Sequence, residues 1–158
     1  SSIFTMSAAE YFLSEGWVRK AVTAIEKAKS TNPEIMSLAS GFSLNVAYVI
    51  KDLPDMLRRI FGKSLTIYVE LDKGVTKRFV VTKDIPDGVN PDYIVESTYE
   101  VARKIFSGEL NPGTAFVSRL VKVKPLGKIY SNPTFTAKSL ILFAALLRVI
   151  REVPTLWA

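Results

Sequence analysis

At 158 residues with 48% hydrophobic content, the chain can bury one sizeable core and is too short to read as two domains. It has no cysteine and no histidine, which excludes disulfides, thiolate chemistry and the commonest general base and metal ligand; only carboxylates, Ser, Thr, Tyr and Lys remain for any catalysis. The net charge of +6 favours anionic partners such as phosphate headgroups, coenzyme A or nucleic acid, but the basic residues come as the pairs Arg58-Arg59, Lys77-Arg78 and Arg103-Lys104 with no aromatic ladder between them, so nucleic-acid binding is not expected.

The N-terminus shows no basic region followed by an apolar stretch and a cleavage site, which points to a cytoplasmic protein. Met6 reads as a natural start with residues 1–5 as additions, in a single domain spanning 1–158. The absence of Gln together with that of Cys hints at a hot habitat. Ser7 is expected to open a helix running toward Lys29, bent at Gly16, with Trp17, Val18, Ala21, Val22, Ile25 and Ala28 as its apolar stripe. Asn32-Pro33 starts a second, short helix that Gly41 ends.

From Phe42 the period changes to two. Phe42, Leu44, Val46, Tyr48 and Ile50 share one face of a strand, and Leu65, Ile67, Val69 and Leu71 share one face of the next. Asp72-Lys73-Gly74 turns the chain back into a third strand, Val75 to Thr82. Between the first two strands lies an insert, Asp52 to Lys63, in which Met56, Leu57, Ile60 and Phe61 fall on one helical face opposite Arg58 and Arg59. It reads either as a lid or headgroup-touching amphipathic helix or as a cap on the sheet edge. Asp84 to Pro91 is turn chemistry and carries no site.

Tyr93 to Glu96 is a short strand. Ser97-Thr98-Tyr99-Glu100 has the form of a capping box, which predicts Ser97 as the cap and a helix from Thr98. Tyr99, Ala102, Ile105 and Phe106 are its inner face and Gly108 its end. Asn111-Pro112 restarts a helix carrying Ala115, Phe116 and Val117, and Val121-Lys122-Val123-Lys124 alternates as a half-buried strand.

The run Gly108-Glu109-Leu110-Asn111-Pro112-Gly113-Thr114-Ala115-Phe116-Val117-Ser118, followed by Val121-Lys122-Val123-Lys124, resembles the signature segment of the sterol carrier protein type 2 lipid-binding family. The order of elements around it fits the same family, and Phe12-Leu13-Ser14-Glu15-Gly16-Trp17 is similar to the openings of prokaryotic members. Two positions depart: the family usually has Gly near Arg119 and again where this chain has Pro125, so both bends must be made differently here. The final Thr155-Leu156-Trp157-Ala158 is not the peroxisomal address on which eukaryotic relatives end.

The last helix starts at Pro133 and stops before Pro154. Phe135, Leu142, Phe143, Leu146, Ile150 and Val153 lie on one side, and Leu140, Ala144 and Leu147 widen the apolar arc beyond the roughly 100° that docking on a sheet requires. The surplus has to be covered by core, a partner subunit, a membrane surface or an apolar ligand. Its longest uncharged stretch, Ser139 to Leu147, falls short of the ~20 residues of a membrane span.

The resemblance implies an α+β fold, a five-stranded antiparallel sheet covered on one face by helices. Between them it implies a tunnel for a fatty acid, acyl coenzyme A, sterol or other lipid, with no catalytic residues, metal or cofactor. On that reading the tunnel wall is Phe79, Val81, Phe106, Phe116, Leu120, Leu140, Phe143, Ala144 and Leu147. Bottom-up, the paired acids Asp52 with Asp55 and Asp84 with Asp87 sit beside Pro in turn-like sequence, where Asp stabilises turns and caps, and no nucleophile elbow or phosphate loop appears, so no enzyme is expected. The competing reading is a ligand-free domain that buries its last helix in a homodimer or enzyme complex.

Overall fold

The computed structural model describes residues 8–157; the expectations for Ser7, Met6 and residues 1–5 lie outside it. Where a continuous first helix was expected, Glu10–Tyr11 is a short strand, β1, and helix α1 (Glu15–Thr31) begins only after Ser14, whose hydroxyl accepts from the Trp17 amide at 3.2 Å. Gly16 therefore lies in the first turn and makes no bend. Asn32 caps α2 (Pro33–Ala39) as its Asn-Pro pair predicts, accepting from the amides of Glu34 and Ile35.

The main sheet contains β2 (Leu44–Lys51), β3 (Ser64–Asp72), β4 (Val75–Thr82), β5 (Tyr93–Thr98) and β6 (Lys122–Lys124) in the order β4-β3-β2-β5-β6. It is mostly antiparallel, but β2 and β5 run parallel. Residues 83–92 do not form a hairpin: they carry the chain back along the sheet and past β3 and β2, so β5 starts in the same direction as β4 and β2. The β3–β4 turn has Lys73 at φ 48° and Gly74 at φ 85°, the two positive φ values of a type I′ hairpin.

The helix after β5, α4 (Tyr99–Ser107), starts one residue later than the capping-box pattern indicates. Thr98, not Ser97, accepts from the Val101 amide, at 3.2 Å, and the Glu100 carboxylate turns outward to Arg103. Ser97 is buried and bonds the Tyr48 hydroxyl at 2.7 Å instead. Gly108 ends α4 in the left-handed region and Asn111 caps α5 (Pro112–Val117). Near the first position where the family has glycine, Arg119 itself adopts φ 60°; at the second, the Lys124–Pro125 peptide is cis and a helix not foreseen from sequence, α6 (Leu126–Ser131), follows. Helix α7 (Pro133–Ile150) closes the fold, and β7 (Thr155–Leu156) pairs in parallel with β1.

The inward strand faces are those the alternation indicates. Ile50 and Leu65, at one end of the sheet, are fully buried in a core with Phe12, Leu13, Trp17, Ala21, Tyr99 and Ile105. Helix α3 (Asp55–Phe61) of the insert adds buried Leu57 to that core and leaves Ile60 exposed. At this end, the sheet and the helices meet directly.

A passage between the sheet and its helices

The other end is open. An elongated cavity of about 360 Å³ separates the sheet from α1, α2, α4, α5, α6 and α7. Every strand of the sheet contributes to its floor: Thr76 and Phe79 from β4, Ile67, Val69 and Leu71 from β3, Leu44, Val46 and Tyr48 from β2, Tyr93 and Val95 from β5, and Val123 from β6. The cross-strand partners Tyr48–Val95, Val95–Val123, Val46–Tyr93 and Val69–Phe79 hold these side chains in rows on one face. The passage therefore runs across the strands, and four strand spacings of about 4.8 Å give it a length of about 19 Å.

Its roof is built from the helices. Ile25 and Lys29 come from α1, Phe106 from α4, Phe116 from α5 and Ile129 from α6; Leu140, Leu142, Phe143 and Leu146 come from α7. Pro133 and Ala137, at the start of α7, are exposed wall residues and mark an opening to solvent. The tyrosines of the wall have engaged hydroxyls. Tyr48 bonds Ser97, and Tyr93 bonds the Thr136 hydroxyl at 2.7 Å while its ring stacks on Phe135. Burial pushes the Tyr48 phenol up to about 12, only partly offset by its hydrogen bond with Ser97. Among the described residues no buried side-chain polar atom lacks a partner, so this wall offers a water few free groups and suits an apolar occupant.

Of the residues expected in the wall from sequence, Phe79, Phe106, Phe116, Leu140 and Phe143 are there. Val81 faces the same way but lies beyond the cavity, packed on the solid core opposite Ile67. Leu147 is fully buried in that core, Leu120 is 47% exposed in the turn after α5, and Ala144 is half-buried outside the wall. Sequence reasoning weighted helix residues and missed most of the sheet floor, although the period-two alternation had already placed Leu44, Val46, Tyr48, Ile67, Val69 and Leu71 on one face. Lys29 and Thr76 carried no signal beyond their polarity. Neither acid pair reaches the cavity: Asp55 pairs with Arg58 beside it, and the Asp84 carbonyl accepts from Thr82. No residue of α3 lines the cavity, so the insert is not a lid over it. A smaller hollow of about 240 Å³ lies behind Phe106 and Ile150, between Trp17, Arg151 and Trp157.

Among solved structures the chain resembles TT1886 of Thermus thermophilus, a conserved hypothetical protein described as a possible sterol carrier protein. The TM-score is 0.67 at 16% identity, over 94% of both chains. It also resembles a crystal structure of sterol carrier protein 2, with a TM-score of 0.65 at 20% identity, over 90% of this chain and 98% of that one. This chain has the sterol carrier fold. The sterol carrier protein domain 2 of Helicoverpa armigera follows at a TM-score of 0.50 and 16% identity, over 84% of this chain and 86% of that one. No family model matches the sequence, and no curated protein is similar to it by sequence. At such identities the likeness establishes the sterol carrier fold.

Proposed function

We propose that this protein is a non-catalytic, cytoplasmic binder of a long apolar molecule, which it carries or presents from the passage between sheet and helices. The observation that supports this most is the passage itself. Folded interiors are packed like organic crystals, with few voids larger than a water molecule, whereas here about 360 Å³ stays open beneath a wall of mostly aliphatic and aromatic side chains. At about 30 Å³ per small group, as for one water in the liquid, that space holds roughly a dozen chain carbons. It sits near the low end of the roughly 300–1,000 Å³ usual for small-molecule sites. Each buried methylene contributes about 0.8 kcal/mol, so a single alkyl chain of that length fits the volume and gains enough for stable binding.

The passage also accounts for the surplus apolar surface of α7. One side of that helix packs in the core through Ala145, Leu147 and Val149, another roofs the cavity through Leu140, Leu142, Phe143 and Leu146, and of its large apolar side chains only Ile141 is more than half exposed. Little is left for a dimer interface. Exposed Val117, Leu126 and Tyr130, beside exposed Arg119, Lys122 and Lys124, flank the β6 end of the passage and suit transient contact with an anionic bilayer during loading.

Native mass spectrometry with light scattering is the direct test: a monomer that retains a lipid mass fits the proposal, while a ligand-free dimer rejects it. Phe143→Asp puts a carboxylate into the roof and is expected to abolish uptake of a fluorescent fatty acid. Unchanged uptake by a folded variant removes that ring from the site.

A further inference from the structure

Building on the carrier reading, we infer that the β4 end of the passage is a headgroup site, formed by Lys29 and Thr76, for the anion of a single-chain amphiphile. Lys29 is the charged residue in a wall that is otherwise neutral. Its side chain is only 14% exposed, although a lysine at the end of α1 would ordinarily reach into water. It is held there by the hairpin. Gly74 sits against α2 so closely that a Cβ would lie 2.8 Å from the Ala39 carbonyl oxygen, and its amide donates to the Phe42 carbonyl at 2.9 Å. This pins the turn beneath the helices and places Thr76 against α1. Lys29 Nζ then donates to the Gly74 carbonyl at 3.0 Å and to Thr76 Oγ1 at 2.9 Å.

The ammonium also forms an ion pair with Glu26 Oε1 at 3.0 Å, three residues back on the same helix. That carboxylate is 48% exposed, so water competes for it and the pair is weakly held. It is therefore easily exchanged: a ligand anion arriving from the cavity side takes the Lys29 proton donor and Glu26 returns to water. Thr76 Oγ1 accepts from Lys29, and no acceptor for its own hydroxyl hydrogen stands among the described residues, so it adds a second donor for the same headgroup. From this end the alkyl chain runs across the strand faces toward β6. The site takes a carboxylate or a phosphate monoester on one chain of about ten to twelve carbons. A neutral sterol leaves both donors unused.

The test compares three ligands with the same chain, decanoate, decyl phosphate and 1-decanol, by calorimetric titration at pH 7.5. Wild type is expected to bind the anions about tenfold or more tighter than the alcohol, the range of one charge-assisted hydrogen bond, and whichever anion binds tighter names the headgroup. Lys29→Met is expected to lose that preference, with decanol affinity falling far less than decanoate affinity. Lys29→Arg should keep the anion preference in part, and Thr76→Val should weaken the anions a few-fold. Equal affinities for anion and alcohol in wild type, or a preference that survives in folded Lys29→Met, overturn the headgroup site. Failure of wild type to take up any of the three, decanol included, instead overturns the carrier reading on which it rests.

Discussion

Tyr48 combines two demands at one residue: its ring forms part of the cavity floor and its hydroxyl bonds Ser97 in the buried interior. Because burial favours the neutral phenol, its pKa stands at about 12 in the fold against 10.0 for an ordinary tyrosine. The raised value means that the folded state holds the proton more tightly than the unfolded one. The stability tied to it is intact below pH 10 and is lost as pH climbs from about 10 to about 12, by roughly 2–3 kcal/mol. Tyr48→Phe should cost about 1 kcal/mol at pH 8, through the lost bond to Ser97, yet show a flatter decline above pH 10. Denaturant unfolding of both proteins across that range measures the difference. Arg119 carries another residue-scale cost, since it takes a left-handed φ of 60° that a glycine adopts freely.

At the scale of elements, the junction of β5 and α4 shows how tertiary contacts move a local signal by one residue. Ser97 and Thr98 are both good caps, and the sequence pattern favours Ser97 because Glu100 stands three residues on. Extending β5 to Thr98 points Ser97 into the core toward Tyr48, which leaves Thr98 to cap. Thr98→Ala should therefore cost about 1 kcal/mol and fray the first turn of α4. Ser97→Ala should instead leave the turn protected and destabilise through the orphaned Tyr48 hydroxyl. Amide hydrogen exchange at Val101 separates the two. Helix α7 teaches the same lesson: its 18 residues have the length and hydropathy of a membrane span, but in this fold its apolar sides meet a core and a cavity.

For the molecule as a whole, the decisive feature is that one sheet face is packed solid at the Ile50–Leu65 end and held apart from the helices at the Leu44–Leu71 end. Substitutions at the two ends should behave oppositely. Val46→Phe grows into open space, so it is expected to lower decanoate affinity by tenfold or more while leaving the melting temperature unchanged or higher. Leu147→Ala, in the solid core, is expected to cost about 2–5 kcal/mol of stability with a smaller effect on affinity. A parallel titration and thermal melt of both variants checks this; loss of stability without loss of binding in Val46→Phe would contradict the description of the open end.

Much was legible along the chain because it rests on interactions between near neighbours. Period-two alternation set the inward faces of β2 and β3, Asn-Pro pairs marked the starts of α2 and α5, and Gly108 the end of α4. What the fold alone decided is long-range. The parallel pairing of β2 with β5, the shift of the cap from Ser97 to Thr98, the exclusion of Val81, Leu120, Ala144 and Leu147 from the wall, and the meeting of Lys29 with Thr76 all depend on residues distant in sequence. A hydrophobic side chain records that it must leave water. Whether it then touches another side chain or faces a cavity is set by the spacing between packed layers, which no local pattern encodes.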